Sequence, residues 1–312
     1  MANPIAILLP VYDDKQSLQL LLQDISKLQD SRLKSISIVI VNDGSADFSV
    51  QKIADEKNIT VIQLSRNLGH QKAIAIGLSY IKQKYKDTAV IVMDSDGEDR
   101  AADIPLLLDA NEKSPGLIFF AARKRRTNGL AFKLFYYLYK LSFYFFTGKK
   151  ISFGNFSLIP YPALCRLVYY SEIWSNYPGG VMKSGLDYNA LPTERGNRYA
   201  GKSKMNFTSL VLHGFGAIAV FLETIIIRIA IVSFLLILVS LISIIAILII
   251  KTTTELAIPG WASIAGTSMF IILLISFIIS LIAIFIYLST QSQKKFIPAL
   301  HYQDYILQIK NI

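Results

Sequence analysis

The sequence predicts an α/β protein with a mostly parallel sheet, followed by a two-helix membrane hairpin. Three observations support this prediction. Short apolar runs alternate with segments of helical periodicity in the first half of the chain, which is typical of βαβ units. Polar residues follow each of these runs, as expected at the strand ends of a parallel sheet. Two long uncharged stretches then occupy most of residues 229–288.

The predicted strands are five apolar runs, at residues 5–9, 36–41, 60–64, 89–93 and 117–120. Helical periodicity between them, as in residues 17–28 and 71–81, predicts helices that cover both faces of the sheet. Because parallel strands present their carboxyl ends at one edge, four polar segments are expected to converge there: residues 10–14, 42–45, 65–69 and 94–99. The sequence therefore predicts a binding cleft at this edge.

The fourth predicted strand delivers two carboxylates, Asp94 and Asp96, at its C-terminal end. Two hard oxygen ligands flanking one small residue suit Mg²⁺ or Mn²⁺, which keeps some waters and takes its other ligands from a substrate diphosphate. An EF-hand loop is excluded because Gly97 falls too early and Pro105 occupies the position of the bidentate Glu. The segment indicates a nucleotide-sugar enzyme, and a solvated acidic turn is the alternative interpretation.

Residues 229–250 and 261–288 are the predicted transmembrane helices, joined by the loop 251–260. About 22 residues at roughly 1.5 Å each cross a hydrocarbon core of about 30 Å. Lysines and arginines flank the outer ends of the pair, so the positive-inside rule places both ends in the cytoplasm. No signal peptide is expected. The predicted organisation, in order, is a cytoplasmic domain (1–205), an amphipathic juxtamembrane segment (206–228), the hairpin and a cytoplasmic tail (289–312).

Basic residues near aromatic runs indicate a lipid partner. The net charge is +10, and the lysines and arginines lie close to these runs and to the predicted spans. Anionic or phosphorylated lipid is therefore the expected partner, and nucleic acid is not. Residues 130–147 contain nine aromatic residues, too many for one buried stripe, and predict an interfacial helix; a helix of the domain core is the alternative. The single cysteine excludes an intramolecular disulfide.

Two further patterns are not interpreted as an NTPase site or a metal site. Residues 196–203 match the letters of an NTPase phosphate loop, but no strand is expected before them, since residues 187–195 are polar and contain Pro192. The three histidines are too far apart to show metal-ligand spacing and are interpreted as structural: His70, His213 and His301.

Five segments, taken in order, carry a family resemblance: PVYDD (10–14), VNDGS (41–45), RNLGHQKAIAIGL (66–78), MDSDGED (93–99) and RGNRYAGKSKM (195–205). The chain resembles the family-2 glycosyltransferases of GT-A fold. Within them it is most similar to the polyprenyl-phosphate glycosyltransferases, the group of dolichyl-phosphate mannose synthase and the bactoprenol glucosyltransferases. The resemblance spans nearly the whole chain, because bacterial members also end in two membrane helices. It implies a protein of the bacterial cytoplasmic membrane that assembles as a homo-oligomer, a tetramer.

The resemblance implies metal-dependent, inverting transfer of a sugar from a nucleotide sugar, a UDP-sugar, to undecaprenyl phosphate. It places these residues at the nucleotide sugar: Pro10, Tyr12, Asp14, Asp43, Asn67, Lys72, Asp94 and Ser95. Mg²⁺ or Mn²⁺ is expected on Asp94 and Asp96, and Glu98, where many members have Gln, either adds a third ligand or points to solvent. The expected catalytic residues are Asp94, Asp96, Arg123 and Lys133. The acceptor phosphate is expected to meet Arg123, Lys133, Arg198, Ser203 and Lys204.

Two alternatives remain open. The first keeps the fold and changes the acceptor to another lipid or a glycan; its processive form is disfavoured because no QxxRW element occurs in the chain. The second is a catalytically silent membrane module that binds nucleotide sugars, which the intact Asp94 and Asp96 disfavour. Asn155 and Ser157 depart from the family pattern in the segment GNFSL, so no acceptor role is carried over there.

Overall fold

The computed structural model describes six stretches of the chain: residues 4–45, 58–123, 130–150, 152–200, 207–254 and 260–312. The chain divides into two units. The sheet unit comprises residues 1–141, 150–220 and 295–312. The helical unit comprises residues 142–149 and 221–294.

The described residues of the sheet unit form one eight-stranded sheet. Its strands are β1 (Ile5–Val11), β2 (Ile36–Asn42), β3 (Ile59–Leu64), β4 (Ala89–Val92), β5 (Ile118–Arg123), β6 (Ser157–Ile159), β7 (Tyr188–Thr193) and β8 (Ile306–Asn311). The order across the sheet is β7-β5-β6-β4-β1-β2-β3-β8. β1 to β4 pair in parallel, as do β5 and β7, whereas β6 and β8 run antiparallel to their neighbours. This arrangement confirms the predicted mostly parallel α/β sheet.

The expectation that no strand precedes residues 196–203 is wrong, because β7 ends at Thr193. β7 is an edge strand, where a proline such as Pro192 is tolerated, and its polar, partly exposed residues form no apolar run.

The helices are α1 (Lys15–Ser26), α2 (His70–Lys84), α3 (Ile104–Lys113), α4 (Leu130–Thr147), α5 (Tyr161–Leu167), α6 (Tyr177–Ser184), α7 (Phe207–Ala219), α8 (Leu222–Thr253), α9 (Trp261–Ser292) and α10 (Pro298–His301). β1 to β6 are largely buried, which explains the continuous apolar runs of β1 to β5, whereas β7 and β8, at the two edges of the sheet, are only partly buried. Along β1, Ala6 and Leu8 pack in the core with α2, whereas Ile5, Ile7 and Leu9 pack in the core with α1 and α3. This alternation follows from the two-residue period of a strand.

The C-terminal segment differs from the predicted tail. Residues 295–312 belong to the sheet unit, and their strand β8 pairs with the edge of β3. Phe296 lies between two rings of this unit, with its centroid 4.1 Å from that of Trp174 and 5.7 Å from that of Tyr305. Apolar packing and strand pairing therefore attach this segment to the sheet unit, whereas the sequence predicted a tail.

The helical unit contains the apolar hairpin. α8 and α9 are 32 residues each and contain an 18-residue stretch with a mean hydropathy of 3.2; among the described residues they are the helices long and apolar enough to cross a membrane. Their packing against each other leaves most of their large apolar side chains exposed. Both helices extend beyond the predicted spans, by seven residues at the start of α8 and four at the end of α9.

The C-terminal part of α4 belongs to the helical unit. There the buried Phe143 packs edge-on against Phe221, and Arg228 Nη1 donates a hydrogen bond of 2.7 Å to the carbonyl oxygen of Phe145. Phe145 is 70% exposed, and Tyr137, earlier in α4, is 64% exposed. Such exposure is inconsistent with a helix buried in the domain core, and the interfacial helix stays a prediction.

Candidate functional site

The carboxyl ends of the parallel strands bring the predicted polar segments to one edge of the sheet. β1 and β2 are in register from Ile5 opposite Ile36 to Val11 opposite Asn42, so the residues that follow both strands emerge together. β4 lies on the other side of β1 and is followed by the acidic segment 94–99. Arg123 ends β5 two strands away. The fold thus gathers four segments that are distant in sequence.

The acidic segment is a tight turn held by its own side chains. The backbone N–H of Asp94 donates to Asp99 Oδ2 at 2.8 Å, and the N–H of Glu98 donates to Asp96 Oδ1 at 2.9 Å. Gly97 has φ +88°, which an L-residue rarely adopts. These bonds leave Asp94 Oδ1 and Oδ2 and Asp96 Oδ2 for other partners.

Three arginines pair with carboxylates of this turn. Arg123 contacts Asp99 through Nε (3.1 Å) and Nη2, and its Nη1 lies 3.0 Å from Glu98 Oε2. The other Glu98 oxygen accepts from Arg195. Arg198 Nη2 lies 2.5 Å from Asp96 Oδ2. The cluster therefore pairs carboxylates with guanidinium groups that present several N–H donors in a fixed fork.

Backbone hydrogen bonds fix the segment that carries two of these arginines. The N–H of Gly196 donates to the carbonyl of Glu98, and the N–H of Tyr199 donates to the carbonyl of Asp96, both at 3.0 Å. The Tyr199 ring packs over Gly97, and its hydroxyl donates to Asp24 Oδ2 at 2.7 Å. Residues 195–199 therefore form a wall beside the acidic turn.

A histidine and an asparagine complete the surroundings of Asp94. His70 Nε2 lies 2.9 Å from Asp94 Oδ1, and Asn155 Nδ2 lies 3.3 Å from the same oxygen and 3.0 Å from His70 Nε2. Asn155 Oδ1 in turn accepts from Gln71 Nε2. The sequence interpretation of His70 as structural missed this contact. The available signal was its position, immediately after a strand-end loop and at the first residue of α2.

Burial and charge separate the pKa values of these carboxyl groups. Burial opposes ionisation of Asp94, but His70 and Arg123 outweigh it and hold its pKa well below the usual range. Burial and the charge of Asp94 raise the pKa of Asp96. The same two causes raise the pKa of Asp99, against the opposing effect of Arg123. The turn thus holds one firmly ionised carboxylate beside two that are harder to ionise.

The predicted nucleotide-sugar residues on β1 and β4 lie at this edge. The Pro10 carbonyl accepts from Ser95 Oγ at 3.2 Å, and the Tyr12 side chain is 43% exposed. Asp14 caps α1 by accepting from the N–H of Ser17, and its other oxygen lies 3.9 Å from Arg198 Nη1.

Asp43 and Lys72, both predicted at the nucleotide sugar, have partners within the protein. Both oxygens of the buried Asp43 accept backbone N–H groups, from Leu68 at 2.7 Å and from Gly69 at 2.9 Å. Burial nevertheless raises the pKa of Asp43. Asn67 lies exposed in the same loop, and the Lys72 ammonium lies 5.6 Å from the centre of the Trp174 ring. Their contact with a nucleotide sugar stays a prediction.

The side chains of three predicted acceptor residues are not among those that the structure describes. Lys133 lies in α4, where the structure describes the backbone of this residue but not its side chain. Ser203 and Lys204 lie outside the described residues. Of the predicted phosphate ligands, Arg123 and Arg198 are therefore the two whose side chains are placed, and both face the acidic turn.

The described residues contain no ready-made group of three His, Cys, Asp or Glu side chains that could hold a metal ion. The donor set nevertheless fits Mg²⁺ or Mn²⁺, which bind through one or two carboxylates together with waters and substrate phosphates. Asp94 and Asp96 supply two such carboxylates. Glu98 does not point to solvent, because its side chain is 15% exposed and paired with two arginines, so that alternative is wrong. Its role as a third ligand stays a prediction.

Solved structures share this fold. The structure of glucosyl-3-phosphoglycerate synthase from Mycobacterium tuberculosis, in complex with Mn²⁺, UDP-glucose and phosphoglyceric acid, matches with a TM-score of 0.52 and 14% identity, covering 72% of this chain and 80% of that chain. The mostly parallel sheet therefore has a GT-A-like fold. The match to sequence families is more specific. The chain belongs to glycosyl transferase family 2, whose pattern matches residues 6–174.

Curated relatives extend the similarity beyond the family pattern. The uncharacterized glycosyltransferase YkcC of Bacillus subtilis (strain 168) is 25% identical over 270 residues, which cover 83% of this chain and 81% of the relative. The bactoprenol glucosyl transferase of Shigella phage SfV is 24% identical over 226 residues, covering 70% and 72%. The undecaprenyl-phosphate 4-deoxy-4-formamido-L-arabinose transferase of Edwardsiella ictaluri (strain 93-146) is 31% identical over 114 residues, covering 35% and 34%.

Proposed function

We propose that this protein transfers a sugar from a nucleotide diphosphate donor, a UDP-sugar, to polyprenyl phosphate. The acceptor in this proposal is undecaprenyl phosphate at the cytoplasmic face of a bacterial membrane, and the enzyme is a homo-oligomer. The observation that carries the proposal is the pairing of carboxylates and guanidinium groups at the carboxyl edge of the sheet. Two apolar helices in the same chain and the bactoprenol and undecaprenyl-phosphate relatives support a lipid acceptor.

The donor side of the proposal rests on Asp94 and Asp96. These residues would hold Mg²⁺ or Mn²⁺, which when bound neutralises the charge that develops on the leaving diphosphate. Arg123 and Arg198 bind phosphate oxygens, because a guanidinium group donates two parallel hydrogen bonds to them. Tyr12 and the end of β1 then line the nucleotide pocket.

The acceptor side requires little acid–base chemistry. The second pKa of a phosphate monoester is about 6, so the acceptor is mostly ionised near neutral pH. An acceptor oxygen forms the new bond to the anomeric carbon while the bond from that carbon to the diphosphate oxygen breaks, with inversion. The residues therefore contribute mainly by aligning two anionic substrates and by balancing their charge.

The test is sugar transfer by the purified full chain in detergent. The assay contains Mn²⁺ or Mg²⁺, undecaprenyl phosphate and a panel of labelled nucleotide sugars. We expect a labelled lipid that partitions into chloroform and forms only with metal. Asp96→Asn removes one metal carboxylate and should lower turnover at least about 100-fold, the scale of losing one strong transition-state contact. Asp87→Asn, at an exposed aspartate after α2, is the matched control and should retain activity.

Each outcome decides one part of the proposal. A folded, fully active Asp96→Asn protein would exclude the metal assignment. Donor hydrolysis without a lipid product, across the whole panel, would exclude polyprenyl phosphate and favour another acceptor. Donor binding without any turnover would favour the silent module.

A further inference from the structure

Arg198 contacts a carboxylate oxygen of Asp96 that the proposed metal would use as a ligand. Its Nη2 lies 2.5 Å from Asp96 Oδ2, whereas the second Asp96 oxygen accepts the N–H of Glu98. Both side chains of the pair are mostly shielded, at 24% and 20% exposed. A divalent cation and this guanidinium therefore compete for the same carboxylate oxygen.

The arginine can leave Asp96 without a change in the backbone. Tyr199 and Gly196 hold their segment against the acidic turn by two main-chain hydrogen bonds, which do not involve the Arg198 side chain. Rotation about side-chain torsions is enough to swing the guanidinium away. Its other anionic neighbour, Asp14 Oδ2, lies at 3.9 Å, so the group already sits between β1 and the acidic turn.

A diphosphate offers the displaced guanidinium a better partner. Phosphate oxygens accept the same bidentate hydrogen bonds as a carboxylate and carry more negative charge. When a metal ion and a donor bind together, Asp96 exchanges the Arg198 guanidinium for the metal ion. Arg198 in turn exchanges the Asp96 carboxylate for the donor diphosphate. Neither charge is then left buried without a partner, which would be costly.

We infer that Arg198 is a positioning residue that holds Asp96 before substrate binds and moves to the donor diphosphate when metal takes its place. The inference rests on the proposed function and adds a rule for its binding order. Metal alone binds weakly because it must displace Arg198. Metal and nucleotide together bind cooperatively, since each removes the obstacle to the other.

The experiment measures Mn²⁺ binding to the full chain in detergent by the electron paramagnetic resonance signal of free Mn²⁺, without nucleotide. Arg198→Ala should bind Mn²⁺ at least tenfold more tightly than the wild-type protein. Asp96→Asn should lose this binding, which assigns it to the acidic turn. Arg100→Ala is the matched control, because it removes an equal charge from a nearby arginine whose carboxylate partners are Glu194 and Asp103. Its Mn²⁺ affinity should stay within about threefold of wild type.

A second titration measures UDP at saturating Mn²⁺. Arg198→Ala should bind UDP at least tenfold more weakly, so the one substitution changes the two affinities in opposite directions. A merely structural role for Arg198 would weaken both. Unchanged or weaker Mn²⁺ binding by Arg198→Ala would overturn the inference, as would Mn²⁺ binding that survives Asp96→Asn. Because neither titration contains lipid, the absence of a labelled lipid in the transfer assay would instead refute the proposed acceptor.

Discussion

Gly97→Ala tests whether the wall of residues 195–199 holds the acidic turn. The substitution has two costs. The backbone at φ +88° is strained for alanine by roughly 1–2 kcal/mol. In addition, the new Cβ would lie 2.4 Å from a ring carbon of Tyr199, well inside van der Waals contact, so the ring must move by about an ångström or more.

Moving the ring has a second consequence. Tyr199 would lose its 2.7 Å hydrogen bond to Asp24, at about 1 kcal/mol, and part of its packing, at about another 1 kcal/mol. The matched control is Gly116→Ala. Gly116 has φ +100°, and no atom lies within 4 Å of its added Cβ, so this variant has the backbone cost alone. The difference attributable to Tyr199 is therefore roughly 2 kcal/mol.

The assay is thermal unfolding of the full chain in detergent, monitored at the sheet unit by near-ultraviolet circular dichroism. For a domain of this size, roughly 2–4 °C is lost per kcal/mol, so Gly97→Ala should melt about 4–8 °C below Gly116→Ala. Combining Gly97→Ala with Tyr199→Ala removes the clash, and the double variant should be more stable than the sum of the two single losses predicts. Equal melting temperatures for the two glycine variants, or strictly additive losses, would refute the reasoning.

Two further predictions concern residues outside the acidic turn. Asp43→Ala leaves two backbone N–H groups of the loop before α2 without an acceptor, and urea unfolding should show a loss of about 2–4 kcal/mol. Alanine at the exposed Asp187 should cost under about 0.5 kcal/mol; an equal loss at both sites would contradict this account. Phe296→Ala removes the ring that packs against Trp174 and should lower the melting temperature by about 2–6 °C, whereas Leu300→Ala, at a 61% exposed residue, should not. A melting temperature unchanged by Phe296→Ala would show that this ring packing does not hold the C-terminal segment on the sheet.

The central strands were predictable because each carries its own signal. β1, β2, β3, β4 and β5 are apolar runs bounded by polar residues, and the structure begins and ends each within a few residues of the prediction. β6 has only three residues, and apolar and polar residues alternate weakly along β8. Neither sequence can therefore be distinguished from a loop by its periodicity. Their places in the sheet come from tertiary pairing, which local pattern does not contain.

The candidate site, like the sheet, was only partly predictable from the sequence. The carboxylates of the acidic turn were predictable from their position after a strand, because strand ends in parallel sheets converge. Their partners were not, since Arg195 and Arg198 lie about a hundred residues further along the chain, and spacing carries no information about such contacts. The resemblance brought Arg198 to the site but gave no reason to expect it on Asp96. His70 was missed because a lone histidine shows no ligand pattern.

The pairing of β8 with β3 can form only late in translation, because β8 is synthesised long after β3. About 240 residues separate the end of β3 from the start of β8, and both apolar helices lie within that interval. At roughly 5–20 residues per second, a ribosome needs about 12–50 s to add them. During that time the hydrogen-bonding groups along the outer edge of β3 have no strand to meet, which is a known hazard for aggregation. The eight-stranded sheet is therefore completed only after both apolar helices have been synthesised, so the sheet unit reaches its final fold near the end of translation.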